Sequence, residues 1–476
     1  MPRAAGARGA WLRERGMGAS ILVAALSSAF GVLLLAATTL IGAVLGADPY
    51  IGQSEILAFV TGFLSVILIG VAVYVAAIVT ANTFATVVAG RTRRIALLRL
   101  IGASARAQRA EIAQQGLVVG VIGAAAGLLG GFALAVAAAS VGLSLLGLGD
   151  VEFSLAQPAL LAPPAVVVLT TWAAAWAGSR RVLTVTPLQA LGGAVEQTHE
   201  SLAGRRGRNV AAIVLSVVGG ALLALGIVAG LVTPLGVAIA FVGGLLSFTG
   251  LALGSTLVMP PALRLVARLF GRSAPARLAA ENALRYPERS ARSSIGVVIG
   301  VTLVMMFATA LETVKAVAAA SAGGEVDPDF VAIIDTFSAI MMALVAVSAV
   351  IAAVGLVNLL TIGVVQRRRE LGLLRALGVS TAQVRRMVLL EAAHVTVTAL
   401  AVGLVLGVAY GWAGAQSVLG SVALPPTWSS PTFVLPAVPL VPLLVVIAAT
   451  AVLTLVAAVV PTRLATRVSP VAALAD

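Results

Sequence analysis

Long apolar segments, separated by short polar connections that alternate between basic and acidic, run the length of this 476-residue chain. About 20 apolar residues suffice for a helix to cross the hydrocarbon core of a bilayer. Ten segments meet that length, at roughly 18–46, 56–90, 112–148, 159–178, 210–231, 235–259, 294–317, 330–366, 389–415 and 433–460. None shows the short period-two alternation of a barrel strand, so the pattern predicts helices. Leu263–Arg292 is different: it is basic, interrupted near Pro275 and Pro287, and reads as one or two interfacial amphipathic helices. The expected fold is an all-α polytopic membrane protein with ten transmembrane helices in a 4+2+4 arrangement. Its parts are a four-span unit over 1–191, a polar linker over 192–209, a two-span hairpin over 210–260 and a second four-span unit over 261–476. The connections leave no room for a large extracytoplasmic domain.

The two four-span units are related. Arg91-Thr-Arg-Arg-Ile-Ala-Leu-Leu-Arg-Leu-Ile-Gly-Ala-Ser104 recurs as Arg367-Arg-Arg-Glu-Leu-Gly-Leu-Leu-Arg-Ala-Leu-Gly-Val-Ser380, each copy lying between two apolar segments. Asn82 pairs with Asn358, Gly127 and Gly131 with Gly403 and Gly407, and Thr186-Pro187 with Ser469-Pro470. Such a repeat marks two homologous halves in one polypeptide. Within each motif the leucines recur at helical spacing. Gly102 and Gly378, each followed two residues later by serine, read as a helix C-terminus and the N-cap of the next helix.

Composition agrees with the membrane reading: 60% of residues are hydrophobic and 10% charged. The net charge of +13 would suit nucleic acid, but its distribution does not. The arginines lie in alternate connections, and acidic residues lie in the opposite ones. That is the positive-inside pattern, with attraction to anionic membrane lipids. It predicts a multi-pass membrane protein with both termini in the cytoplasm and no nucleic-acid partner. Arg3, Arg8, Arg13 and Arg15 precede a first apolar run too long for a signal peptide, which therefore reads as a retained span. There is no cysteine, which excludes disulfides and thiol chemistry.

The second basic motif, with Arg367, Arg368, Arg369, Glu370, Leu373, Leu374, Arg375 and Gly378, resembles the FtsX-like permease family of ABC transporters, of the MacB-type class. The closing Ser-Pro-Val-Ala-Ala-Leu and the elbow-like Leu278–Arg292 resemble that family too. The resemblance implies that the motif couples to a separate ATP-binding subunit, present as a homodimer per permease chain, which holds ATP and Mg while this chain carries no cofactor. In the first copy the matching residues are Arg91, Arg94, Leu98, Arg99 and Gly102, and Arg94 stands where the second copy has Glu370. A weaker grip on the ATPase at the first site follows. The implied function is export or extraction of a hydrophobic or amphipathic substrate: a drug, peptide or lipid. The alternatives are a mechanotransmitter that controls an envelope partner and, with few mid-membrane acids to support it, an ion-coupled secondary transporter.

The remaining candidates are few. Glu312 and Lys315 lie one helical turn apart, with Asp335 near in the expected topology; they form either a substrate vestibule or a local ion-pair cluster. Gly127, Gly131, Gly403 and Gly407 belong to ladders that allow close helix packing. Asn82 and Asn358 read as interhelical hydrogen-bonding groups or substrate contacts. Glu391 and His394 share a face but make no metal set. Lys315, the sole lysine, has no glycine-rich cradle before it, so the chain has no Walker A motif and is not expected to be an enzyme by itself.

Overall fold

Met17–Gly46 contains neither a proline nor a charge, and in the computed structural model it forms one uninterrupted helix, α1. The structure describes residues 17–46, parts of 66–78, and 104–145, 157–179, 206–269, 273–285, 287–321, 373–423 (without 374) and 431–467. Among these residues there are helices and turns and no strand. Seven helices are long and apolar enough to cross a membrane, over Ser20–Leu40, Arg106–Ser140, Pro158–Ala177, Arg206–Gly230, Gly236–Leu253, Ser294–Ser321 and Thr381–Leu419. The expected span over 330–366 lies outside the described residues, as does most of that over 56–90.

The chain divides into two compact units, Met1–Val195 and Glu196–Asp476. In the first, α2 (Ala105–Leu145) packs against α1 and against α3 (Ala162–Gly178), which a 3-10 turn at Pro158–Leu161 introduces. Ala24, Ala124 and Val167 meet in one buried cluster, and Val32, Leu35 and Leu160 in another. The Ser28 hydroxyl donates to the Ala124 carbonyl at 3.0 Å, which satisfies a buried polar group across the α1–α2 contact.

In the second unit, α4 (Arg206–Gly230) and α5 (Gly236–Leu253) form a tight hairpin, followed by α6 (Ser255–Ala267), α7 (Ala274–Arg285), α8 (Pro287–Ser321), α9 (Thr381–Leu419) and α10 (Leu440–Arg467). The helix α9 is the hub, packing against α8, α7, α10, α4, α5 and α6. Small residues bring the hairpin helices together: Gly219 lies against Ser247 and Gly243, and Gly226 against Ala240. The hairpin docks on α9 through Ser247, whose hydroxyl is 2.8 Å from the Tyr410 hydroxyl, and through an edge-on contact of Phe248 with Tyr410. Interhelical hydrogen bonds in membranes are worth about 0.6 kcal/mol on average. Tyr410→Phe should therefore lower the melting temperature only slightly, and Ser247→Ala added to it should lower it no further. A thermal-shift series on the two singles and the double checks both expectations.

Three boundaries depart from the sequence reading. The sixth span ends at Leu253, because the chain turns at Gly254 and begins α6 at Ser255. The interruptions expected near Pro275 and Pro287 are present, since α6 ends at Ala267, α7 opens at Ala274 and α8 at Pro287, with each proline in a first turn where a missing N–H costs nothing; the last of these helices, however, runs on into the membrane-length segment. Arg292 consequently belongs to the membrane-length helix α8. The tenth span begins as a helix at Leu440, not Phe433, because Pro431, Pro436 and Pro439 keep 431–439 out of helical conformation.

Candidate coupling turn and packing sites

The second basic motif ends in a sharply defined turn. Gly378 has φ of 98°, a conformation open to glycine and costly for a residue with a Cβ. The Leu377 N–H bonds the Leu373 carbonyl at 3.0 Å and the Gly378 N–H bonds that of Arg375 at 3.1 Å, closing the last turn of the preceding helix. Ser380 then caps α9: its hydroxyl accepts from the Gln383 N–H at 3.2 Å, and the Gln383 side chain accepts from the Ser380 N–H at 2.9 Å. That reciprocal capping box fixes the direction in which α9 leaves the turn. At the equivalent place in the first motif, the Ser104 hydroxyl accepts from the Ala107 N–H at 3.2 Å at the start of α2.

The first turns of α9 rest on α7. Val384, Met387 and Val388 pack with Ala279 in a buried cluster, and Val379 and Leu390 lie against it. On the other side, Leu373 is 51% and Leu377 74% exposed, and Arg385 and Arg386 are exposed as well. Two leucines four residues apart thus form an apolar pair that is exposed among the described residues. Sequence reasoning singled out Leu374 and passed over Leu377. The signal available was the apolar residue directly before the glycine in both motifs, Ile101 and Leu377.

Of the other motif residues, Arg375 is half-buried in this turn. Arg91, Arg94, Leu98, Arg99, Gly102, Arg367, Arg368, Arg369, Glu370 and Leu374 lie outside the described residues, as do Asp335, Asn82 and Asn358. Glu312 and Lys315 are both half-buried on α8. Glu391 is 8% and His394 1% exposed, and the His394 Nε2 lies 2.8 Å from the Leu263 carbonyl of α6. His394 is thereby placed as a tie between α9 and α6. No group of three or more metal-ligating side chains occurs among the described residues.

The glycine ladders make the same contact in each unit. A Cβ at Gly127 would press on the Ala25 carbonyl and come within 2.6 Å of the Ser28 Cβ; one at Gly131 would come within 2.9 Å of the Ala29 Cα. In the second unit a Cβ at Gly403 would lie 2.8 Å from the Val301 Cβ, and one at Gly407 would lie 2.5 Å from the Met305 Cβ. In both, the glycine face of the helix following the basic motif lies on a helix earlier in its unit, α1 in the first and α8 in the second.

Residues 66–187 and 342–470, just over half of the chain, match the FtsX-like permease C-terminal family. The chain belongs to the FtsX-like permease family. A 66-residue stretch is also 33% identical to the ABC transporter permease YtrF of Bacillus subtilis (strain 168), covering 13% of this chain and 15% of that relative. The turn at Gly378 and the four paired glycines all fall inside the family segments. The helices α1 and α8 fall outside both. They receive the paired glycines in the same register, so α1 and α8 hold matching places beside the two family segments of this FtsX-like permease.

Proposed function

We propose that this FtsX-like permease is the membrane subunit of an ABC transporter of the MacB-type class, driven by a separate ATP-binding subunit that docks on the basic motifs. The observation that carries this reading is the turn at Leu373–Ser380. It is rigidly capped, packed on α7 behind, and exposes Leu373 and Leu377 beside arginines in front. An exposed apolar pair in a segment rich in arginine suits a groove with an acidic rim, and the capped turn passes force from that groove into the long α9. The family match and the YtrF likeness support the same reading. The topology we propose is ten spans in a 4+2+4 order with both termini cytoplasmic, an ATPase homodimer serving the two halves, and a hydrophobic or amphipathic substrate.

Leu377→Asp should reduce co-purification of the co-expressed ATP-binding subunit about tenfold or more, the scale of a hot-spot loss. Leu98→Asp should reduce it less, because Arg94 replaces the acid that the second motif carries at Glu370. Pull-down from membranes with both variants checks the order: equal loss from both would reject the asymmetry, and no loss from either would sink the coupling assignment.

Glu312 and Lys315 are proposed, with Asp335, to border a substrate vestibule. Glu312→Gln and Lys315→Met are then expected to change substrate-stimulated ATP turnover without changing ATPase binding. Recovery of stability in the double variant, with turnover unaltered in all three, would assign them to an ion-pair cluster instead.

A further inference from the structure

The non-helical segment 431–439 lies at the end of α9 opposite the Gly378 turn, and side chains of α8 and α9 hold it by its backbone. Gln416, fully buried, donates from Nε2 to the Thr432 carbonyl at 2.9 Å and accepts the Val434 N–H on Oε1 at 2.6 Å. Trp412, one turn away on α9, donates its indole N–H to the Val434 carbonyl at 2.7 Å and stacks edge-on with Phe433. The Thr432 N–H adds a bond to the Gly420 carbonyl at 2.8 Å. From α8, the buried Thr313 hydroxyl donates to the Thr309 carbonyl at 2.6 Å, leaving a lone pair to accept the Ala437 N–H at 3.1 Å. Three residues later the chain enters α10.

We propose that 431–439 is a fixed clasp, which binds the motif-distal ends of α8, α9 and α10 into one body that stays closed while the motif end moves. The physical ground is polar satisfaction. A segment with irregular backbone beside membrane-length helices must have its N–H and C=O groups paired by protein, and releasing it would strand Gln416, Thr313 and Trp412 together with the backbone. Pro431, Pro436 and Pro439 reduce the conformations a released segment could gain, so little entropy opposes the clasp. Close glycine contacts between α8 and α9 point the same way, since that seam is already packed backbone to side chain. The clasp would then be the pivot about which force entering at the Gly378 turn acts; only this last part rests on the proposed ATP-driven function.

The absence of native cysteine makes the test direct. Val434→Cys and Ala437→Cys, made singly, should react slowly with a soluble maleimide in membranes. Trp412→Phe, which keeps a ring and loses one hydrogen bond, should raise labelling at position 434 about fivefold, and Gln416→Leu should raise it further. Labelling of the single-cysteine chains as fast as in those variants would overturn the clasp. The pair Thr313→Cys and Ala437→Cys should oxidise almost completely to a disulfide. In complex with the ATP-binding subunit, the disulfide should leave stimulated ATP turnover within about twofold of the reduced protein, a shift no larger than a minor change in barrier. Turnover lost on oxidation and restored by reductant would show a moving gate and reject the fixed clasp. A reduced chain that stimulates no ATP turnover at all would count against the transporter reading, and the maleimide rates alone would then decide the clasp.

Discussion

Gly407→Val is expected to destabilise the second unit by about 1–3 kcal/mol, the usual cost of forcing extra atoms into a filled interface. A Cβ there would meet the Met305 Cβ at 2.5 Å and the Thr302 carbonyl at 2.9 Å, so two helices would have to part. The contact includes backbone, which has no rotamer by which to yield. Gly414, on the same helix, supplies the control because nothing lies within 4 Å of its Cβ position. Gly414→Ala should be neutral or slightly stabilising, since alanine is favoured over glycine in a helix by roughly 1 kcal/mol. Thermal unfolding of the purified protein in detergent measures both. In the first unit, Gly127→Val and Gly130→Ala should reproduce the contrast, because Gly127 meets α1 and Gly130 meets open space. A Gly407→Val protein as stable as the parent would mean that the α8–α9 seam is looser than its geometry shows.

Gly378→Val should act at a different place and by a different cause. No atom lies near its Cβ position, so crowding plays no part. The cost comes from φ of 98°, which a β-branched residue adopts only with strain of roughly 1–3 kcal/mol. The chain can relieve that strain by unwinding the turn between Leu373 and Ser380, which would change the orientation of Leu373 and Leu377 relative to α9. Co-purification of the ATP-binding subunit should fall severalfold while the melting temperature changes little, because most of the turn is exposed and only Val379 reaches the buried cluster. Gly378→Asn should be milder, as asparagine tolerates positive φ better than other residues with a side chain. A large thermal loss with normal ATPase retention would place the importance of this glycine in folding instead.

The hydrophobic pattern carried the helical class, since each apolar run must satisfy its own backbone in lipid and only the helix does so within a single segment. The repeated motif carried the family, and Gly378 and Ser380 announced a helix end and a new cap because the chemistry of a turn is local. The gap before Leu440 was harder to see. Phe433, Val434 and Leu435 are apolar enough to continue a span, and only their proline neighbours argued otherwise. Pro275 and Pro287 marked their helix boundaries, because a proline fits the first turn of a helix and not its interior.

By itself, the sequence determined that this chain is a helical membrane protein built from two related units, each carrying a basic turn. Those features follow from residue chemistry within one segment or from direct comparison of two. Only the tertiary structure decided which helix receives each glycine ladder, that the hairpin docks on α9 through Tyr410, that His394 is a tie to α6, and that Gln416 serves the backbone of a distant strap. Each of these joins residues far apart in the chain, and a polar residue in an apolar run does not reveal which partner will satisfy it until the helices are packed.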